Sequence, residues 1–505
     1  MTADVGLLAG ERPDLRLLSP ACAAWASAYV ALGWSPRVGL AAALAWCGAA
    51  ALSALGWRRG WALTLAAAAL CAAGAAAAVA WRLAALQRGP LPVLARAHAK
   101  VTLELVIGAD PRLLSVAGAH GGSRSIVVFP AKAVAVAPDS GVTTIVRSPV
   151  FVLASGRGWL GLQPSQHAVA SGRLGAPKPG EFESATFDAS GPPMSTGRPT
   201  PMQRLAGVVR SGLRDATAPL PAGPGGLLPG LVDGDVSRLP PQVVADFKTT
   251  GLTHLVAVSG ANVAIVLGAV LTVARWVGLR SRGQALAGAF AIVGFVVVAR
   301  PQPSVLRAAA MGLVVVVALA AGRRRRALPA LCAAVLLLVC LDPTLARSVG
   351  FALSVLATGA LLVVAPPLRE RFARRMPRWL AEALAVPTAA TLVCAPVIAS
   401  FAGQVSLAAV PANLLAEPAV APATILGVIT ACVAPWWTAG AQWIARVAAL
   451  PCGWLVWVAR TFARFPGAAV SWPTGVAGAV DLGLVVLLVV FALRLLARAG
   501  GEGGA

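Results

Sequence analysis

Residues 251–266 read GLTHLVAVSGANVAIV. The stretch opens an apolar run of membrane character, yet His254, Ser259 and Asn262 sit inside it, with Gly260 beside the serine. Lipid offers no partner to a polar group, so something else must compensate. A charged side chain at the bilayer centre costs roughly 2.5–3.5 kcal/mol on insertion scales, and polar residues there tend to face an aqueous path. On an unbroken helix Ser259 and Asn262 point about 60° apart and His254 lies about 80° beyond Asn262, which predicts a shared face. The Ser259–Gly260 step can instead break the helix and present free backbone groups to a cavity. Three readings compete. One is hydrogen bonding between helices, with Gly260 allowing close approach. Another is a serine nucleophile in an intramembrane hydrolase, which needs a base within reach of Ser259 and an oxyanion hole. His254 lies at an awkward angle for that base, and no other histidine falls in an apolar segment. The third is the lining of a solute pathway.

The whole chain supports a membrane setting. Of 505 residues, 58% are hydrophobic and 12% charged, about half the charged fraction of a soluble domain. The class expected is an α-helical polytopic membrane protein. A net charge of +23 suits an anionic partner, phospholipid headgroups or nucleic acid, although enrichment of basic residues in cytoplasmic loops explains much of it. Eight cysteines all lie in apolar stretches without a C-x-x-C, so they read as small buried hydrophobes and not as a disulfide framework or metal site.

Three apolar segments, about 21–33, 38–56 and 61–86, make an N-terminal membrane part over 1–87. The first is short for a span. Arg58 and Arg59 mark the turn between the second and third as cytoplasmic. Residues 88–200 differ: HAKVTLELVIG, SRSIVVFPAKAVAVA, TTIVRSPVFVLAS and HAVASGRLG alternate like strands between turn signals. Their number suits a small OB-like β domain. It carries eleven basic against six acidic residues, and Phe129, Phe151 and Trp159 either stack on bases or fill the barrel core. Residues 201–250 hold an amphipathic helix, MQRLAGVVRSGLRDATA, expected on the membrane surface, and a Pro/Gly-rich connector.

Nine further apolar segments follow within 251–498, at about 252–277, 284–299, 304–321, 327–341, 347–366, 380–401, 411–433, 437–458 and 476–497, before a short tail at 499–505. The expected total is about eleven or twelve membrane segments, with 21–33 and 406–433 the weakest. Basic clusters fall at alternate junctions: Arg275, Arg280 and Arg282, then 323–326, then Arg369 to Arg378, then Arg494 and Arg498. These loops are expected inside, with the β domain outside and both termini cytoplasmic.

Polar residues recur in this series. Arg300 and Arg307 flank a Pro-broken hairpin in RPQPSVLRAAAMG, on the outer side, as is Lys248 in ADFKTTG. Three such cations near a pore mouth favour a polyanion. Ser354 lies in GFALSVLATGA. Asn413 and Glu417 share a helical face in VPANLLAEPAV, between Pro411, Pro418 and Pro422, which argue against one straight helix. Broken helices at membrane depth need burial or water. No G-x-x-x-x-G-K-[ST] loop occurs, and the four histidines are dispersed, so no nucleotide site, metal motif or cofactor is expected.

Taken in order, GLVDGD with Asp235, GLTHLVAVSGANVAIV, RPQPSVLRAAAMG, GFALSVLATGA and VPANLLAEPAV resemble the ComEC family, the inner-membrane channel of bacterial DNA uptake, over roughly 20–497. The resemblance implies a channel moving single-stranded DNA across the cytoplasmic membrane during natural transformation, not an enzyme. It places His254, Ser259, Gly260, Asn262, Arg307, Ser354 and Asn413 within family motifs. Their polar character in apolar segments suggests a place along the path, together with Arg300, Glu417, Lys248 and Asp235. Many members end in a metallo-β-lactamase-like domain, whose H-x-H-x-D-H motif this sequence lacks. The implied partners are single-stranded DNA, membrane lipid, an exterior DNA receptor, a cytoplasmic helicase-like motor and a separate nuclease. The rival function is a secondary transporter of a small anionic or lipidic solute, with a closed midplane site and Glu417 as proton carrier.

Overall fold

A computed structural model describes residues 15–54, 60–117, 123–138, 141–177, 181–256, 258–300, 303–320 and 327–502. Arg58, Arg59 and the run 323–326 lie outside these residues, as do the side chains of Arg307, Arg494 and Arg498.

Helices α1 (Leu18–Ala31), α2 (Pro36–Ala54) and α3 (Gly60–Leu86) come first, and α4 (Leu91–Arg96) leads into the β domain. Its strands are β1 (Lys100–Ile107), β2 (Arg112–Ala117), β3 (Ser123–Pro138), β4 (Thr144–Ala154), β5 (His167–Gly175), β6 (Ala185–Ala189) and β7 (Ser195–Thr196). Three helices follow, α5 (Pro201–Thr217), α6 (Ala222–Val232) and α7 (Pro241–Thr249). The apolar series is α8 (Gly260–Trp276), α9 (Ser281–Ala299), α10 (Pro303–Ala320), α11 (Ala327–Leu341), α12 (Val349–Val363), α13 (Ala365–Phe372) and α14 (Arg378–Ala402). After β8 (Gln404–Ser406) come α15 (Ala409–Val433) and α16 (Thr438–Ala463). Then β9 (Ala469–Ser471), which pairs with β8, precedes α17 (Gly475–Glu502).

Each of the twelve expected apolar segments contains a helix. Among the described residues six are long and apolar enough to cross a membrane alone: α2, α3, α9, α14, α15 and α16. The pair α12 and α13, bent by 44°, makes a seventh if it forms one broken span. Helices α8 and α11 and the Gly475–Leu488 part of α17 are apolar but shorter, below the roughly 20 residues a perpendicular span needs.

The β domain closes on itself. Strands pair in the order β1-β3-β4-β6-β5, and β5 returns to β1. All pairs in this ring are antiparallel except β4 with β6. The alternation that marks strands in the sequence becomes alternating burial, most cleanly along β1, where Val101, Leu103, Leu105 and Ile107 point inward. Closure demands a glycine at 172: a Cβ there would lie 2.2 Å from the Asp188 carbonyl oxygen on β6. Phe129 and Trp159 are fully buried with ring centroids 5.5 Å apart. They fill the barrel core and are not open to bases. Phe151 is half-buried.

The helical part holds three main cores. One joins α1, α2, α3, α11 and α12, so the N-terminal helices pack on the middle of the apolar series. A second joins α8, α9 and α10. The third joins α6 and α7 with α15 and α16. Residues 218–250 are therefore no simple connector. Every residue from Gly225 to Val232 in α6 is buried, and its glycines permit the packing: a Cβ at Gly226 would lie 2.7 Å from the Leu239 backbone, and one at Gly230 2.9 Å from the Val256 carbonyl.

Helix α5, over the residues expected as an amphipathic surface helix, also makes protein contacts. In α5, Ala206, Arg210, Leu213, Ala216 and Thr217 are buried, and the helix packs on α6, α9, α15 and α16. Its amphipathic pattern serves protein contact on that face. Helix α15 runs unbroken through Pro418 and Pro422, contrary to the expectation of a break. Pro411 lies in its first turn, where the missing N–H costs no helical bond. Near Pro418, Trp454 Nε1 donates to the Leu415 carbonyl at 2.7 Å, a side-chain tie from α16 to the proline-containing stretch of α15.

Candidate functional site

The opening stretch does not form one helix. Gly251 turns the chain with φ +71°, residues Thr253–Leu255 make a single 3-10 turn, and α8 starts at Gly260. Ser259 is its extended N-cap residue. The step between Ser259 and Gly260 is thus a real break, and His254 does not share a helical face with Ser259 and Asn262. His254 is exposed, whereas Asn262 is completely buried. Asn262 Nδ2 donates to the Leu231 carbonyl at 2.8 Å, and Ser259 Oγ donates to Asn262 Oδ1 at 3.3 Å. This joins the SGAN segment directly to GLVDGD at the end of α6.

That second segment is the centre of a buried ionic cluster. Gly234, with φ +77°, lets the chain turn after α6, and the Asp235 N–H donates to Asp233 Oδ1 at 3.0 Å. The Asp233 side chain is fully buried. Arg210 reaches it from α5: Nη1 donates to the Asp233 carbonyl at 2.7 Å and to the Val298 carbonyl at 3.1 Å, and stands 3.6 Å from Asp233 Oδ2. Its Nη2 lies 3.4 Å from Asp110 Oδ2. Asp110 belongs to the turn between β1 and β2, and it also pairs with Arg300. Arg300 caps α9 in the left-handed region, φ +63°, and is buried. Beside them Arg214 Nε lies 3.7 Å from Asp235 Oδ2. One network therefore links the β domain, α5, the turn after α6 and the α9–α10 junction.

Burial governs its electrostatics. It pushes the Asp233 carboxyl up to about 6, although Arg210 and the Asp235 N–H pull the other way. Burial also acts to raise Asp235, but hydrogen bonds from Ser237 and the charges of Arg214 and Arg210 hold it below the usual carboxylate range. Burial lowers the Arg300 guanidinium to about 10, which leaves it protonated at neutral pH.

Of the residues singled out from sequence, Ser259, Asn262, Asp235 and Arg300 belong to this region. Others lie apart from its bonded network among the described residues. Asn413 Nδ2 donates to the Ala409 carbonyl of its own helix at 2.8 Å. Glu417 and Lys248 are exposed. Ser354 is half-buried in α12, its carbonyl accepting from Thr358. Gly260 is exposed, and a Cβ there would meet only the Ala308 Cβ, at 3.6 Å. Arg307 lies in α10, with its side chain outside the described residues. Sequence reasoning missed Arg210, Asp233 and Asp110. The one signal for Asp233 was its place in GLVDGD, two residues before Asp235 and directly after an apolar run.

Fold and site define a polytopic helical membrane protein with an inserted β domain ionically tied to its helical part. A family model described as competence protein matches residues 231–498. The chain belongs to that family, as the ComEC-like motifs suggested. The ComE operon protein 3 of Bacillus subtilis (strain 168) is 24% identical over 214 residues, which are 42% of this chain and 27% of that protein. The matched part thus spans about a quarter of that relative's length. No solved structure matches the chain.

Proposed function

We propose that this protein carries single-stranded DNA across the bacterial cytoplasmic membrane during natural transformation. The observation that carries the reading is the competence-family match over 231–498, a span that contains the bonded Leu231–Asn262 junction. The β domain, OB-like by its strand number and closure, lies outside the cell and receives the strand. The cations Lys248, Arg300 and Arg307 draw phosphates toward the membrane, and the segment from His254 to Asn262 borders the path. The chain has no ATPase or nuclease activity of its own. An exterior receptor delivers DNA, a helicase-like motor in the cytoplasm pulls it, and a separate nuclease removes the other strand. Binding of DNA to such a path weakens with salt as counterions compete for the same cations.

The test is delivery of fluorescent DNA into the cytoplasm of competent cells lacking this protein, complemented with wild type, Arg307→Ala or Asn262→Leu at matched membrane abundance. Wild type restores cytoplasmic signal and the variants do not. If deletion leaves uptake unchanged in cells shown to be competent, the DNA role fails and the solute transporter takes its place.

A further inference from the structure

We infer that Arg210 and Arg300 form a phosphodiester-binding site whose internal occupant is the Asp110 carboxylate of the β domain. The strand identity of the ligand rests on the proposed function; the anion chemistry does not.

Two guanidinium groups on separate elements, α5 and the α9–α10 junction, converge on one carboxylate carried by a third, the β1–β2 turn. The arginines are fixed. Arg210 is anchored by two backbone carbonyls and by Asp233, which leaves its Nη2 for Asp110. Arg300 keeps a left-handed backbone without being glycine, a conformation that surrounding structure must impose. Its Nε is buried without a hydrogen-bond partner. The pair therefore offers more donors than Asp110 accepts.

Asp110 is the accessible member. Its side chain is 32% exposed, against 10% for Arg210 and 7% for Arg300. It sits on a turn between strands and not in a core, so it can leave while the arginines stay. A phosphodiester bears one negative charge, as the carboxylate does. Exchange conserves the charge of the cluster, and two non-bridging oxygens match the planar donors of a guanidinium. In this arrangement a strand arriving along the β domain releases that domain's own tether to the helices.

The experiment uses the full chain in nanodiscs of zwitterionic lipid. Anisotropy of a labelled oligothymidylate gives affinity at several salt concentrations. Removing the internal competitor with Asp110→Asn tightens binding several-fold. Arg300→Gln weakens it by about tenfold and lowers the salt slope by about 0.7. The combined variant shows no gain from Asp110→Asn, and Arg300→Lys recovers part of the affinity, which separates lost recognition from misfolding. A short-chain phosphatidylglycerol is titrated in parallel. Asp110→Asn that weakens oligonucleotide binding makes Asp110 a structural strut and overturns the site. So does binding unchanged by both Asp110→Asn and Arg300→Gln, an outcome that leaves the proposed function standing. Tightening toward the lipid but not the oligonucleotide makes this a headgroup site. Failure of wild type and all variants to bind any oligonucleotide removes the proposed function and the strand site together.

Discussion

Asn262 illustrates how much one amide does here. It is fully buried, its Nδ2 satisfies the Leu231 carbonyl and its Oδ1 receives Ser259. Asn262→Leu fills similar space but leaves that carbonyl without a partner, which costs about 1–3 kcal/mol. A lowered unfolding midpoint of the purified protein is the expected result, and Ser259→Ala, which removes only the weaker 3.3 Å contact, lowers it less. Asp233 makes a second residue-level prediction, through pH. Its folded-state pKa of about 6 lies above the ordinary value of 3.8. Between those values the folded protein binds a proton that the unfolded chain has released, so stability from this group falls as pH rises through the window and is lost above about 6. Asp233→Asn removes the proton site while Arg210 keeps both backbone carbonyls. The stability difference between pH 4.5 and pH 7, on the order of 2 kcal/mol for this group, should shrink in that variant. Asp235, held below its usual range, works in the opposite sense at lower pH: its contribution is present above the unfolded value and disappears as acid protonates it.

Among the elements, α15 is tied to a partner at its proline-containing stretch. Two internal prolines remove two helical hydrogen bonds, and Trp454 covers the Leu415 carbonyl in that stretch. Trp454→Phe keeps most of the ring and deletes the donor, so amide exchange near 415–422 should quicken while exchange in α9 does not change. Equal rates in wild type and Trp454→Phe would mean that packing alone holds the helix. The same helix marks what the sequence could not say. Its prolines argued for a break because sequence displays the lost bonds and hides the packing on α16, whose tie from Trp454 comes from 39 residues away. The long strands β1, β3, β4 and β5 were legible from alternation, whereas β2 and the five-residue β6 were too brief or irregular to declare themselves. Gly and Pro disguised α6 as linker, since a glycine chosen for close approach looks the same as one chosen for a turn. Ser259 and Asn262 stood out as polar residues in an apolar run. Arg210 did not, because three arginines on an amphipathic helix look like a solvated face until Asp233 and Asp110 are seen beside one of them.

At the scale of the molecule, the ionic cluster is where the β domain meets α5 and the α9–α10 junction, the latter inside the family match, and its working direction depends on which side of the membrane that junction faces. The arginines 369–378 give the argument for the orientation proposed: cytoplasmic loops retain basic residues, which predicts the α13–α14 region inside and the β domain opposite. The eight native cysteines are all free thiols and are replaced to give a clean background. Val142→Cys then reports the β domain, where Val142 is 86% exposed between β3 and β4, and Arg374→Cys reports an exposed position between α13 and α14. In intact protoplasts a membrane-impermeant maleimide should label the Val142 position at once and the Arg374 position only after permeabilisation. The opposite pattern would put the β domain in the cytoplasm, remove it as a receiver of exterior DNA, and turn the Asp110 tether into a contact made on the exit side.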